Sequence, residues 1–114
     1  MTLAEKRRHP RVKLITKVTH IRSEFFHYYY SRDLSLGGIF LETQEPFPVG
    51  TEVKLEFPLP DVADKVLVKG KVARMVKRAE DAPGPYPGMG VEFVEMDEDT
   101  KAMFADFITR NLPR

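Results

Sequence analysis

The sequence predicts an all-β domain, a small antiparallel barrel or curled sheet of about six strands with one C-terminal helix over an end or face. Three observations carry this expectation. Apolar and polar residues alternate over several short runs, the runs are separated by Gly- and Pro-rich breaks, and an i, i+3, i+4 apolar stripe occurs only after the last run. The expected organisation is a single domain over residues 1–114: a flexible basic arm over 1–11, the barrel over 12–95 and the helix over 97–112.

The elements follow in order. Residues 12–21 (VKLITKVTHI) are β-branched and alternate Val12, Leu14, Thr16, Val18 against Lys13, Ile15, Lys17, Thr19, as one strand does. The aromatic run from Phe25 to Leu34 is strand-prone and meets a turn at Ser35-Leu36-Gly37-Gly38. Ile39 to Thr43 resumes the pattern, and Pro46, Pro48 and Gly50 then break it. Glu52 to Phe57 alternates cleanly, with Val53, Leu55 and Phe57 on one face. Val66 to Val76 makes a long strand that would turn Val66, Val68, Gly70, Val72, Arg74 and Val76 to one side. Ala79 to Met89 holds three prolines and two glycines and reads as an exposed loop, after which Gly90 to Val94 returns as a hairpin partner. Asp97 can cap a helix whose stripe is Phe104, Phe107, Ile108 and Leu112, closed by Arg110, Asn111 and Pro113.

Composition narrows the function. The 114 residues are 42% hydrophobic and 31% charged, with a mean hydropathy of −0.34, which is a globular composition of single-domain size. The absence of cysteine excludes disulfides, thiolate catalysis and Cys-ligated metals. No apolar run approaches the ~18 residues of a spanning helix, and the first residues lack the apolar core of a secretion signal, so a cytoplasmic protein without membrane insertion is expected. Charge is uneven. Lys6, Arg7, Arg8, Arg11, Lys13, Lys17 and Arg22 face only Glu5 within residues 1–22, giving +6 there and −5 on the rest of a chain whose total is +1. A basic arm on a faintly acidic body, with a pI of 8.0, points to a small anion and not to nucleic acid, whose partners usually exceed a pI of ~9.

Two motifs carry chemistry. Arg7-Arg8-His9-Pro10-Arg11 puts three guanidinium groups directly before the first strand, and Pro10 holds His9 extended. Each guanidinium is a planar fork that binds phosphate bidentately and stacks on a base. Taken alone, the run also fits a solvated basic tail. Asp33-Leu34-Ser35-Leu36-Gly37-Gly38 supplies a carboxylate for the N–H edge of guanine, a hydroxyl, and a Gly-Gly backbone that an oxyanion can approach. Taken alone, it also fits a hairpin turn bonding its own backbone.

In order and spacing the two motifs resemble the PilZ domain family of bacterial cyclic di-GMP receptors. Arg7 and Arg11 match its RxxxR motif, and Asp33, Ser35 and Gly38 match [D/N]xSxxG. Gly88 to Phe93 resembles the closing strand, and the terminal helix also fits. The resemblance implies a six-stranded barrel in which Arg7, Arg8 and Arg11 bind phosphate and stack on guanine. It also implies that Asp33 and Ser35, with Gly37 and Gly38 beside them, meet the ligand's guanine and phosphate edges. The implied role is a cyclic di-GMP receptor and adaptor, not an enzyme. It would change conformation on binding and regulate an unidentified effector protein in bacterial signalling such as motility or exopolysaccharide production. It would act without cofactor or metal, as a monomer or homodimer.

Other readings rank lower. His9, His20 and His27 show no HxH or HExxH spacing for zinc. Ser35, His20 and Asp33 lack the GxSxG elbow of a hydrolase. Phe25 to Tyr30 could stack single-stranded bases on a barrel, but such aromatics usually belong to a core or interface. A ligand-independent interaction module would be expected to have lost part of the motif.

Overall fold

The computed structural model describes residues 10–22, 25–76 and 87–112. The strands are β1 (Val12–Lys13), β2 (Lys17–Arg22), β3 (Phe25–Leu34), β4 (Gly38–Glu42), β5 (Glu52–Phe57), β6 (Val66–Val76) and β7 (Gly88–Glu95), followed by α1 (Glu98–Asn111). All pairings are antiparallel. β2 pairs β5, β5 pairs β6, β6 pairs β7, β7 pairs β4, β4 pairs β3 and β3 pairs β2, which closes a six-stranded barrel. β1 is the extra strand, set beside the far end of β3 through Val12↔Leu34 and Lys13↔Asp33.

Alternation explains which side chains fill the interior. Val18, Leu34, Ile39, Leu41, Leu55, Phe57, Val68, Val72 and Met89 are almost wholly buried, and their outward neighbours on β5 and β6, such as Lys54, Lys69 and Lys71, are exposed. Burial rather than backbone preference thereby sets strand register.

The first strand departs from the expected single run. Its burial alternates as predicted from Val12 to Val18, but its ladder breaks between Lys13 and Lys17. Ser31 bridges the gap: its buried hydroxyl donates to the Leu14 carbonyl and accepts from the Thr16 N–H at 3.1 Å, while its own N–H donates to the Thr16 carbonyl at 3.0 Å. A side chain here replaces a ladder rung. Ser31→Ala is therefore expected to lower the unfolding free energy by about 1–3 kcal/mol, the usual penalty for stranding buried polar partners. Urea unfolding checks this, and an unchanged midpoint would show that water replaces the hydroxyl.

Two further expectations are corrected. Gly88 and Met89 belong to β7 and not to a loop; Met89 is fully buried, and the Pro- and Gly-rich composition before it concealed the strand start. Of the rest of that predicted loop, residues 79–86 lie outside the described residues, and the Pro87 carbonyl accepts from the Thr43 N–H at 3.1 Å. On β6 the inward series stops at Val72, because the register slips by one residue between Val72 and Arg74 and leaves Arg74 exposed.

The helix starts where its cap predicts. The Asp97 carboxylate accepts from the Thr100 N–H at 2.7 Å, and this bond holds its carboxyl below the usual Asp range. The cap is thus fully formed above that range and is lost as pH falls through the lowered value. Phe104, Phe107 and Ile108 are buried. Leu112 is not part of that buried stripe: it is the C-cap residue and is 37% exposed. Pro113 lies outside the described residues.

Candidate ligand site

Asp33 reaches the outer surface through a backbone irregularity. Ser31 is buried, so strict alternation would point Asp33 inward and Leu34 outward. The β3–β4 register instead shifts between Ser31 and Asp33, which sends Leu34 into the core and leaves Asp33 partly exposed. Bulges re-aim side chains in this way near functional sites.

Arg11, just before β1, places a guanidinium nitrogen 2.6 Å from an Asp33 carboxylate oxygen. The two predicted motifs therefore meet on the outside of the barrel. Lys13, opposite Asp33 in register and exposed, adds a second cation that the motif reading did not single out. The Arg11 and Asp33 side chains are 45% and 34% exposed, and a pair so wet is worth about 0–1 kcal/mol, weak enough for an anion to exchange into it. Arg7, Arg8 and His9, with the first residues of the expected flexible arm, lie outside the described residues.

The turn after β3 uses its own polar groups. The Ser35 hydroxyl oxygen accepts from the N–H groups of Gly37 at 3.1 Å and Gly38 at 3.2 Å, and the Ser35 N–H donates to the Gly38 carbonyl at 2.9 Å. Ser35 is buried. The two glycine amides, expected from sequence to face an oxyanion, are thus directed at the serine hydroxyl. These bonds close the loop beside Asp33.

His20 is buried on β2 with its ring 5.4 Å from that of Phe47. It lies opposite His27, six residues and roughly 20 Å along β3 from Asp33 at ordinary strand rise, so no Ser35-His20-Asp33 triad forms. Among the described residues no group of three His, Asp or Glu side chains could hold a metal ion, and no helix is long and apolar enough to cross a membrane. An open groove of about 760 Å³ lies between Leu36, the end of β7 and α1. Among the described residues its only cation is Lys101, 3.5 Å from Glu98, so it suits a dianion less well than the Arg11 surface does.

A small closed antiparallel barrel, with Arg11 paired to Asp33 near the end of β3 and a helix packed on the core, defines a class of compact β-barrel modules. The chain belongs to the PilZ domain family, whose model matches residues 5–110. Comparison with curated proteins finds no match. The fold is similar to that of the Bacillus subtilis inhibitor of motility MotI/DgrA (TM-score 0.76, 18% identity, 92% of this chain and 50% of that one). It is also similar to the PilZ domain of YcgR from Escherichia coli with c-di-GMP (TM-score 0.66, 17% identity, 93% and 91%). A third similar structure is the MrkH–c-di-GMP complex of K. pneumonia (TM-score 0.71, 18% identity, 90% and 51%). This chain spans about half the length of the first and third of these.

Proposed function

We propose that this chain is a receptor for cyclic di-GMP. The observation that carries the reading is the Arg11–Asp33 pair, which joins the RxxxR and [D/N]xSxxG motifs at one exposed point. Both halves of the pair have a use in the ligand. A phosphodiester competes with Asp33 for the Arg11 guanidinium, and the released carboxylate accepts from the N–H edge of guanine. Arg7 and Arg8 add phosphate and stacking contacts, and Ser35 keeps the Gly37–Gly38 loop in shape beside the base. The solved neighbours with c-di-GMP support this choice of ligand. Binding transfers Arg11 from one partner to another and so repositions the arm leading into β1. Because β1 packs against α1, the change is presented to an effector protein as a rearranged surface. The chain is a receptor and adaptor in this account, with no catalytic step.

Calorimetric titration with cyclic di-GMP tests it. Saturable binding is expected, and Arg11→Ala should weaken it by about 10- to 150-fold, the ratio that the ~1.5–3 kcal/mol of a charge-assisted hydrogen bond implies. Asp33→Ala should weaken cyclic di-GMP but leave inorganic phosphate binding unchanged. No saturable heat from the unaltered chain would overturn the receptor reading. Tight oligonucleotide binding with a steep salt dependence would favour a single-strand-binding barrel instead.

A further inference from the structure

A row of residues runs across the outer face of the barrel beyond the two motifs. Asp33 on β3 is in register with Phe40 on β4, Phe40 with Gly90 on β7, and Gly90 with Arg74 on β6. At about 4.8 Å per strand, the row covers roughly 14 Å along the surface from Asp33 to Arg74. Each member points away from the barrel interior, although Phe40 is itself only 7% exposed. Phe40 lies between inward Ile39 and Leu41, and Gly90 between inward Met89 and Val91.

Arg74 lies flat on this row. A Cβ on Gly90 would fall 3.0 Å from both Cγ and Nε of Arg74, so the bare backbone of Gly90 makes room for the side chain. The guanidinium carbon then sits 5.6 Å from the Phe40 ring centroid, within cation–π range. The guanidinium thus lies beside the ring, and the residue remains exposed. The other arginines whose side chains are described, Arg11, Arg32 and Arg110, each sit against a carboxylate. Among the described residues Arg74 forms no ion pair.

Backbone irregularities point both ends of the row outward. The shift between Ser31 and Asp33 turns Asp33 out, and the shift between Val72 and Arg74 does the same for Arg74. Strict alternation would have buried both charges. Covering Phe40 could by itself account for an overlying arginine. It does not account for a bulge that exposes a charge with no counterion among the described residues.

We propose that Arg74 is the second anchor of the ligand site, and this rests on the cyclic dinucleotide reading. Arg11 and Asp33 hold one purine and its phosphate. Arg74, fixed from below by Phe40, offers its open face to the second purine, forming a ring–guanidinium–base stack. Two purines on one ring can address both ends of such a row, whereas a single phosphate cannot.

The test is titration of cyclic di-GMP into the unaltered chain and into Arg74→Ala, Arg74→Lys and Lys71→Ala, with thermal melting to confirm that each is folded. Lys71 is another exposed cation on β6 and controls for net charge. Arg74→Ala should weaken binding about tenfold or more, as loss of a base-stacking partner does. Arg74→Lys should lose most of the same affinity, because charge remains but the plane does not, and Lys71→Ala should bind as the unaltered chain does. If the unaltered chain binds and Arg74→Ala binds equally well, the role of Arg74 is overturned while the receptor reading stands. Equal losses for Lys71→Ala and Arg74→Ala, or full affinity in Arg74→Lys, would also overturn the stacked anchor. Failure of the unaltered chain to bind would overturn the receptor reading itself.

Discussion

Phe104→Ala is expected to lower the unfolding free energy by about 3–5 kcal/mol, the range for deleting a fully buried phenyl ring. Phe104 has no exposed surface, and its ring centroid lies 5.9 Å from that of Phe57 on β5 and 5.6 Å from that of Phe93 on β7. It is thus the point at which α1 is keyed into the barrel. Strands on both sides of the barrel wall lose contact when the ring is removed, and a cavity remains because the closed sheet cannot collapse onto it. For a domain whose whole stability is ordinarily about 5–15 kcal/mol, this is a large fraction. Urea unfolding by circular dichroism measures it. Leu112→Ala is the internal control: Leu112 is the C-cap of the same helix and is 37% exposed, and its loss should leave the midpoint nearly unchanged. A Phe104→Ala loss below about 1 kcal/mol would show that the barrel stays closed without the helix.

The parts of this architecture legible from sequence are those governed by local chemistry. Val53, Leu55 and Phe57 alternate into the core as predicted, and Asp97 caps the helix that its position announces. The Arg11 and Asp33 motifs are local strings, and the structure brings them together. Illegible features depend on partners distant in the chain. Leu14 to Thr16 alternate like any strand, yet the Leu14 carbonyl and the Thr16 N–H pair with the Ser31 hydroxyl, because a strand pattern records burial and not hydrogen-bond partners. Gly88 and Met89 read as loop because Pro and Gly precede them, whereas Gly88 is required by the packing of Phe40 and Leu41 against β7. A period of two puts Arg74 on the same side as Val72, because it has no place for an extra residue. One bulge reverses everything after it. The Asp33-Phe40-Gly90-Arg74 row combines four strands, and no spacing along the chain encodes it.

Gly38→Ala separates a structural from a ligand-binding role for the motif glycine, and the structural role should dominate. A Cβ at Gly38 would lie 2.3 Å from the Val91 carbonyl oxygen and 3.3 Å from its carbon, at the point where β4 begins its pairing with β7. The colliding atoms are backbone, so no rotamer relieves the contact and the two strands must separate. Overpacking commonly costs about 1–3 kcal/mol, and a clash with a barrel strand belongs at or above the top of that range. The turn would suffer as well, because the Gly38 N–H donates to the Ser35 hydroxyl and its carbonyl accepts from the Ser35 N–H. The expected result is a clearly lowered melting temperature in the absence of any ligand, with cyclic di-GMP affinity reduced as a consequence. Ser35→Ala, which removes the acceptor of both glycine amides and leaves the β4–β7 approach intact, should destabilise less than Gly38→Ala. An alanine at position 38 that melts like the unaltered chain but fails to bind would instead place this glycine in direct contact with the ligand.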